Sequence, residues 1–311
     1  MSELWRPSCS IQLLKYRAQV FKKIREFFSE RQVLEVDTPA LMSCTVTDPY
    51  MNALSVELFE KSYFLQTSPE YAMKRLLASG CGDIYQLSKN YRADERGNNH
   101  QPEFTMLEWY RTGWGVTKLM DEVFALVNQI SGLEQRQDVT YQQCFEQFLN
   151  VNPHTLLLDE AKELAEGRLG KLPEDLVLDD YLSLLFATQI EPNLGKEAVV
   201  FVRDFPASQA ALAKLNDDAI TAARFECYCE GIELANGFDE LTDSSLQRER
   251  FKKDNQMRKQ MGKPLIELDE LFLQSLNSGL PNCSGVALGV DRLIMIATGK
   301  KDIRQVVPFA F

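Results

Sequence analysis

A chain of 311 residues with 45% hydrophobic and 25% charged residues has ample material for a buried core, and no apolar run in it approaches the roughly 20 residues that a membrane span needs. Its 34 Lys and Arg stand against 45 Asp and Glu, a formal net charge of −11, which disfavours extensive contact with a nucleic-acid polyanion. The opening residues, MSELWRPSCS, lead into no apolar h-region, so the chain does not read as secreted and the cytoplasm is the expected compartment.

Over residues 11–30, apolar side chains fall at Leu14, Ala18, Phe21, Ile24 and Phe28, a helical spacing with one buried stripe. Residues 33–36 predict a short strand stopped at Asp37-Thr38-Pro39, and 63–66 predict another. Ser68 then caps a new helix with Pro69 in its first turn, continuing through Tyr71, Met73, Leu76 and Leu77 to Gly80. Glu70 falls in that first turn, just past a strand end, a good place for a ligand-facing carboxylate. Residues 84–87 form a strand that leads into Asn90-Tyr91-Arg92-Ala93-Asp94-Glu95. The polar loop 96–102 follows, and 103–110 returns as a strand on which Glu108 and Tyr110 share a face. Residues 117–132 and 140–149 predict helices, and 155–195 is mostly helical with breaks at Gly167, Gly170, Pro173 and Pro192. A β-branched strand at 199–202, a long strand at 224–234, helices at 244–261 and 267–276, and a closing helix opened by residues 285–292 complete the chain. Strands and helices lack regular βαβ alternation, which favours an α+β fold with an antiparallel sheet flanked by helices.

Polar residues concentrate in three of these segments. Arg92 and Asp94 precede a loop that leads to Glu103 and then Glu108-Trp109-Tyr110. Glu226, Glu233 and Glu240 recur every seven residues. Gly285, Gly289 and Arg292 form the third set. Each has a bland reading alone: a surface ion pair worth little, a solvated strand edge, a common short motif. In this order they outline a nucleotide site. Arg92 offers a planar donor fork to an α-phosphate, and Arg292 suits the far phosphate where glycines let backbone approach. Glu226 and Glu233 suit magnesium, and Phe104 suits a stacked base. Glu70, Glu108 and Glu240 remain as surplus acids for a ligand with two ammonium groups. The seven cysteines are odd in number and mostly far apart, as free thiols would be, and Cys227 and Cys229 read as one face of a strand. Two histidines leave few candidates for a zinc site or a Ser-His-Asp arrangement.

These residues resemble the class II aminoacyl-tRNA synthetases. The helix, strand and Pro39 resemble the first, dimer-forming motif; Tyr91-Arg92-Ala93-Asp94 with Glu103-Phe104-Thr105 resembles the second; Gly289-Val290-Asp291-Arg292 resembles the third. Thr67-Ser68-Pro69-Glu70, the segment Glu103 to Glu108, and Glu233-Leu234-Ala235-Asn236-Gly237-Phe238 are similar to the lysine-specific branch. Lysyl-tRNA synthetases begin with an anticodon-binding OB domain, and here the first motif starts near residue 11. The chain, including Phe205-Pro206-Ala207-Ser208-Gln209-Ala210 and the run from Cys283 to Arg292, instead resembles the truncated paralogues that attach (R)-β-lysine to a lysine side chain of elongation factor P.

The resemblance implies one catalytic domain over 1–311, a homodimer, ATP as a substrate and Mg2+ as its companion ion, with no membrane partner and with tRNA not the expected acceptor. It implies Arg92 and Arg292 as catalytic. ATP contacts are implied for Arg92, Asp94, His100, Gln101, Phe104, Glu233, Leu234, Gly289 and Arg292. Substrate contacts are implied for Ser68, Pro69, Glu70, Glu108, Tyr110, Glu240 and Ala287, and metal ligation for Glu226 and Glu233. The second motif ordinarily reads Arg-x-Glu; here Asp94 is one methylene shorter and Glu95 follows it, so either carboxylate is positioned to accept from the adenine amine. Lysyl-tRNA synthetases typically carry glycine where this chain has Ala287, and the extra methyl is expected to favour β-lysine over α-lysine. Three rival readings share the motifs. An ammonia-dependent asparagine synthetase would need a cation for its side-chain carboxylate, where this chain offers acids. A non-catalytic regulatory paralogue usually lacks motif arginines, and both are present. A minimal tRNA-lysylating enzyme is disfavoured by the missing OB domain and the charge.

Overall fold

The computed structural model describes residues 5–310; the first four residues of the N-terminal stretch read above, and residue 311, lie outside the described residues. In chain order the elements are α1 (Ile11–Glu30), β1 (Leu34–Glu35), β2 (Leu41–Met42), β3 (Ser55–Leu58), β4 (Lys61–Leu65), α2 (Glu70–Ala78), β5 (Ile84–Tyr91), β6 (Glu103–Thr112), α3 (Val116–Ser131), β7 (Arg136–Thr140), α4 (Tyr141–Leu149), α5 (Leu158–Leu169), α6 (Leu178–Leu185), β8 (Val199–Pro206), β9 (Thr221–Cys229), β10 (Ile232–Asp239), α7 (Ser244–Gln260), α8 (Glu270–Asn277), β11 (Cys283–Gly289) and α9 (Val290–Thr298). The fold is α+β. Two compact units divide the chain, one of Met1–Gly132 with Glu240–Phe311 and one of Leu133–Asp239. Among the described residues no helix is long and apolar enough to cross a membrane.

In the first unit, α1 begins where the Ser10 side chain accepts a hydrogen bond from the Leu13 amide. Its buried face is Leu13, Arg17, Val20, Ile24, Phe27 and Phe28. That face is rotated from the expected stripe, because apolar residues occur at both 13 and 14 and at 20 and 21, and the buried Arg17 selects between the two registers. Phe28 stacks on Tyr85 at 4.4 Å between centroids and meets Trp109 edge-on at 5.3 Å. β5 and β6 are antiparallel, with Gln86 opposite Glu108 and Asn90 opposite Phe104. β6 and β11 are antiparallel, with Gly285 opposite Tyr110, Ala287 opposite Glu108 and Gly289 opposite Met106. The short β1 runs parallel to β5, and β2, β4 and β3 make a separate small antiparallel sheet.

Residues 285–289 are thus strand and not the start of the closing helix. Val286 and Leu288 are buried at alternating positions, as a strand requires, and α9 begins only at Val290. α2 packs on α8 through Tyr71, stacked on Phe272 at 4.5 Å.

In the second unit, β8, β9 and β10 are antiparallel in turn, and β7 runs parallel to β8. The expected long strand at 224–234 is two strands. Glu230 and Gly231 both take positive φ, 52° and 70°, and form the two-residue turn between Cys229 and Ile232. The apolar alternation continues on both sides of that turn, so it was invisible to periodicity. α5 runs through Gly167 and stops at Gly170, whose φ is 85°. The helices pack on β8 and β9 around Tyr141, Phe145, Phe186, Phe205 and Tyr228. All seven cysteines are free.

Candidate active site

The first unit holds all of the sequence-predicted residues but Glu226, Glu233 and Leu234, and five of them lie on one strand pair. Glu108 and Tyr110 of β6 share a face with Gly285 and Ala287 of β11. Tyr110 donates its hydroxyl to Glu108 Oε1 at 2.6 Å, and Ser68 donates to Glu108 Oε2 at 2.7 Å. Ser68 also accepts from the Glu70 amide at 3.1 Å, so the turn that starts α2 orients both Glu70 and Glu108. Pro69 is the N-cap of that helix. Glu240 follows β10, and its amide donates to the Cys283 carbonyl at 3.0 Å.

Gly285 keeps this face open. A Cβ at that position would lie 2.3 Å from the Tyr110 ring and 2.5 Å from Glu240 Oε1, closer than real Cβ contacts come. Gln86, opposite Glu108 on β5, is buried, and neither polar atom of its carboxamide has a hydrogen-bond partner. Its position between apolar residues on a strand gave no chemical signal in the sequence.

Lys74 is the residue that sequence reasoning missed. It is 0% exposed, and Nζ lies 2.5 Å from both Glu70 Oε1 and Glu240 Oε2. The available signal was its i,i+4 spacing from Glu70, which reads equally well as a surface pair. Burial and the neighbouring Glu70 charge push Glu108 up to about 7, against the Tyr110 and Ser68 hydrogen bonds and the Lys74 charge. Burial pushes Glu240 up to about 8, with Lys74 opposing and Glu70 and Glu108 adding repulsion. Burial lowers the Lys74 pKa, but the Glu240 and Glu70 charges outweigh it and the net shift is upward. The one ammonium stays charged, while the two buried carboxyls, Glu108 and Glu240, hold on to protons more tightly than an ordinary glutamate.

The two arginines lie toward the other end of the same strands. Arg92 follows β5; it donates to Glu95 Oε1 at 2.8 Å and sits over the Phe104 ring at 5.1 Å from the centroid. Asp94 accepts from the Asn52 side chain. Arg292, in the first turn of α9, donates to the Asn99 carbonyl at 3.2 Å and lies 2.6 Å from His100 Nε2. Burial and the Arg292 charge lower the His100 pKa, which suits a neutral imidazole accepting from the guanidinium. Gln101 is buried and donates to the His100 carbonyl at 3.1 Å. Gly289 is the N-cap of α9 and faces the Arg292 stem. Asp291 does not pair with Arg292. It takes Arg17 of α1 at 2.5 Å and the Thr105 amide at 2.7 Å, tying α1, β6 and α9 together behind the site.

Glu226, Glu233 and Leu234 lie on β9 and β10 of the second unit. Glu226 pairs in register with Asn236, and Glu233 with Tyr228. A bulge between Glu233 and Ala235 lets Glu233 and Asn236 share the face that carries Glu226. Arg224, at 2.5 Å, and the Tyr228 hydroxyl hold the Glu226 carboxylate. Leu234 is buried.

This fold and motif order are those of a synthetase-type activating domain. The family model for class II tRNA synthetases (D, K and N) matches residues 3–311, and the chain belongs to that family. Curated relatives narrow the comparison further. The chain is 45% identical over 313 residues to the elongation factor P–(R)-beta-lysine ligase of Avibacterium paragallinarum, covering 98% of this chain and 97% of that protein. It is 45% identical over 315 residues to the protein of the same name from Pseudoalteromonas translucida, and 44% over 316 residues to that of Salmonella paratyphi B, with the same shares covered.

Proposed function

We propose that the chain is an ATP-dependent ligase that activates (R)-β-lysine as an adenylate and transfers it to a lysine side chain of elongation factor P. In this reading residues 1–311 form one catalytic domain, working as a cytoplasmic homodimer. One observation carries it: the β6–β11 pair presents a buried acid cluster at Glu108 and Tyr110 and leads to Phe104, Gly289 and Arg292 at its other end. Four residue-to-residue steps of strand lead from Phe104 to Glu108, about 13 Å at roughly 3.3 Å per step, a span that suits an extended diamino acid joined to a nucleotide.

Glu240, Glu108 and Tyr110 hold the distal ammonium and Glu70, with Ser68 and Pro69, the proximal one. The substrate carboxylate oxygen attacks the α-phosphorus, the bond to the bridging oxygen breaks, and pyrophosphate leaves. Arg92 stabilises charge on the transferring phosphate and Arg292 charge on the departing one. Phe104 stacks the base, Asp94 or Glu95 accepts from its amine, and His100, Gln101 and Gly289 line the nucleotide. The acceptor amine then attacks the acyl carbon, the bond to AMP breaks, and the amine nitrogen loses a proton. No enzyme nucleophile is required; positioning and charge do the work.

Glu226 and Glu233 are oxygen donors on one face of the hairpin, and Arg224 and the Tyr228 hydroxyl each engage one oxygen of the Glu226 carboxylate, as ligating carboxylates are ordinarily hydrogen-bonded. They fit Mg2+, which uses one or two carboxylates together with phosphate oxygens and supplies charge neutralisation there.

ATP–pyrophosphate exchange with (R)-β-lysine and α-lysine, followed by intact-mass measurement of elongation factor P, tests the reading. Exchange with β-lysine and a mass gain of one lysyl unit on the factor are expected. Exchange with neither amino acid, or acylation of tRNA in place of the factor, overturns it.

A further inference from the structure

The acid cluster contains a cation of its own. Lys74 bridges Glu70 and Glu240 at 2.5 Å each, with Nζ 5.9 Å from the Phe272 ring centroid, while among the described residues Glu108 is held by the neutral hydroxyls of Ser68 and Tyr110. Lysine is almost never fully buried unless paired, and here a single ammonium serves two carboxylates. With all groups ionised, three carboxylates and one ammonium leave −3 + 1 = −2.

The other titratable groups facing this region leave that count alone. Tyr71 and Tyr110 are held as neutral phenols by burial. Asp269 caps α8 by accepting from the Phe272 amide at 2.9 Å, and Asp254 of α7 accepts from Thr47 at 2.6 Å. Asp48 accepts from the Tyr50 amide at 2.8 Å, and all three are turned to partners outside the cluster.

We infer that Lys74 is the internal counter-ion of the amine pocket, a positioning residue that ties Glu70 to Glu240 and leaves two negative charges for the two ammonium groups of the substrate. The inference rests on the proposed reading of a diamino acid substrate. A protonated carboxyl cannot pair with an ammonium, and Glu108 and Glu240 are pushed up to about 7 and about 8. The KM for β-lysine therefore falls as pH rises through that window, until the substrate amines lose their own protons. The midpoint of this acidic limb reports the charge around the acids: each extra negative charge raises it and each one removed lowers it.

The test is pyrophosphate exchange from pH 5.5 to 9 on wild type, Lys74→Met, Glu70→Gln, the double variant Lys74→Met/Glu70→Gln, and Lys74→Arg, with melting curves as a folding check. The limb midpoint is expected lowest in Glu70→Gln, equal in wild type, Lys74→Arg and the double variant, and highest in Lys74→Met. The step for Lys74→Met is expected to be at least about one pH unit, or ~10-fold in KM at pH 7, with the KM for ATP unmoved. If Lys74→Met does not fold, the double variant decides: coincidence with wild type supports the counter-ion, and coincidence with Glu70→Gln overturns it. A limb that is the same in all five proteins overturns it as well. Failure of wild type to activate either lysine isomer defeats the substrate reading itself, a result separate from a wrong ordering of the limbs.

Discussion

Replacing Gly285 by alanine adds a single methyl at the tightest point of the site. The new Cβ would stand 2.3 Å from Tyr110 Cε1, 2.4 Å from Cδ1 and 2.5 Å from Glu240 Oε1. The Tyr110 ring is 2% exposed and Glu240 1%, so neither has open space to enter, and both lose the positions that let Tyr110 reach Glu108 and Glu240 reach Lys74. Overpacking of this kind costs ~1–3 kcal/mol. If the displacement is expressed in the site, the KM for β-lysine rises about 5- to 150-fold while the KM for ATP changes little. If it is expressed in the fold, the melting temperature drops. Gly167→Ala is the matched comparison: it lies inside α5, a Cβ there meets nothing within 4 Å, and the change should stabilise by about 0.5–1 kcal/mol. Pyrophosphate exchange with each substrate varied in turn, together with thermal melts, reads both effects. Wild-type KM and wild-type melting in Gly285→Ala would refute the reasoning, because those two side chains do not admit the methyl without movement.

Arg292→Ala should abolish adenylate formation with the fold intact; an exchange rate equal to wild type would remove Arg292 from the phosphate clamp. Ala287→Gly, opposite Glu108, should shift preference from β-lysine toward α-lysine by ~10- to 200-fold, read in competition for adenylate formation, and an unaltered ratio would reduce Ala287 to packing. Arg17→Met leaves Asp291 buried without its ion-pair partner and should cost about 3–5 kcal/mol in chemical denaturation; a loss below that range would mean that the Thr105 amide alone satisfies the carboxylate.

The acids and arginines were legible in the sequence because charged residues inside strands are conspicuous and their order along the chain is distinctive. What completes the site was not legible, for physical reasons. Lys74 looks like half of a solvent-facing i,i+4 pair until Glu240, far along the chain, arrives on its other side. Gly285 looks like a helix-opening glycine until Tyr110 and Glu240 converge on it. Arg17 and Asp291 are 274 residues apart, and only the packing of α1 against α9 and β6 reveals that the aspartate of the third motif serves the scaffold. The hairpin at Glu230-Gly231 hid inside continuous alternation, and the parallel edges β1 and β7 are too short and too exposed to announce a direction. Residue type thus pointed to the chemistry, and long-range contact decided the geometry.

Arg92 rests on Glu95 and Arg292 on His100, and both partners belong to the connection between β5 and β6. On the proposed function, that connection is a tethered competitor of the nucleotide. Each arginine trades an internal acceptor for a phosphate oxygen, so ATP binds with the difference between two contacts and not with their full strength. The tether also holds its acceptors at high effective concentration, ready to recapture the guanidinium groups when pyrophosphate lets go. Weak net affinity and short product residence then have one origin.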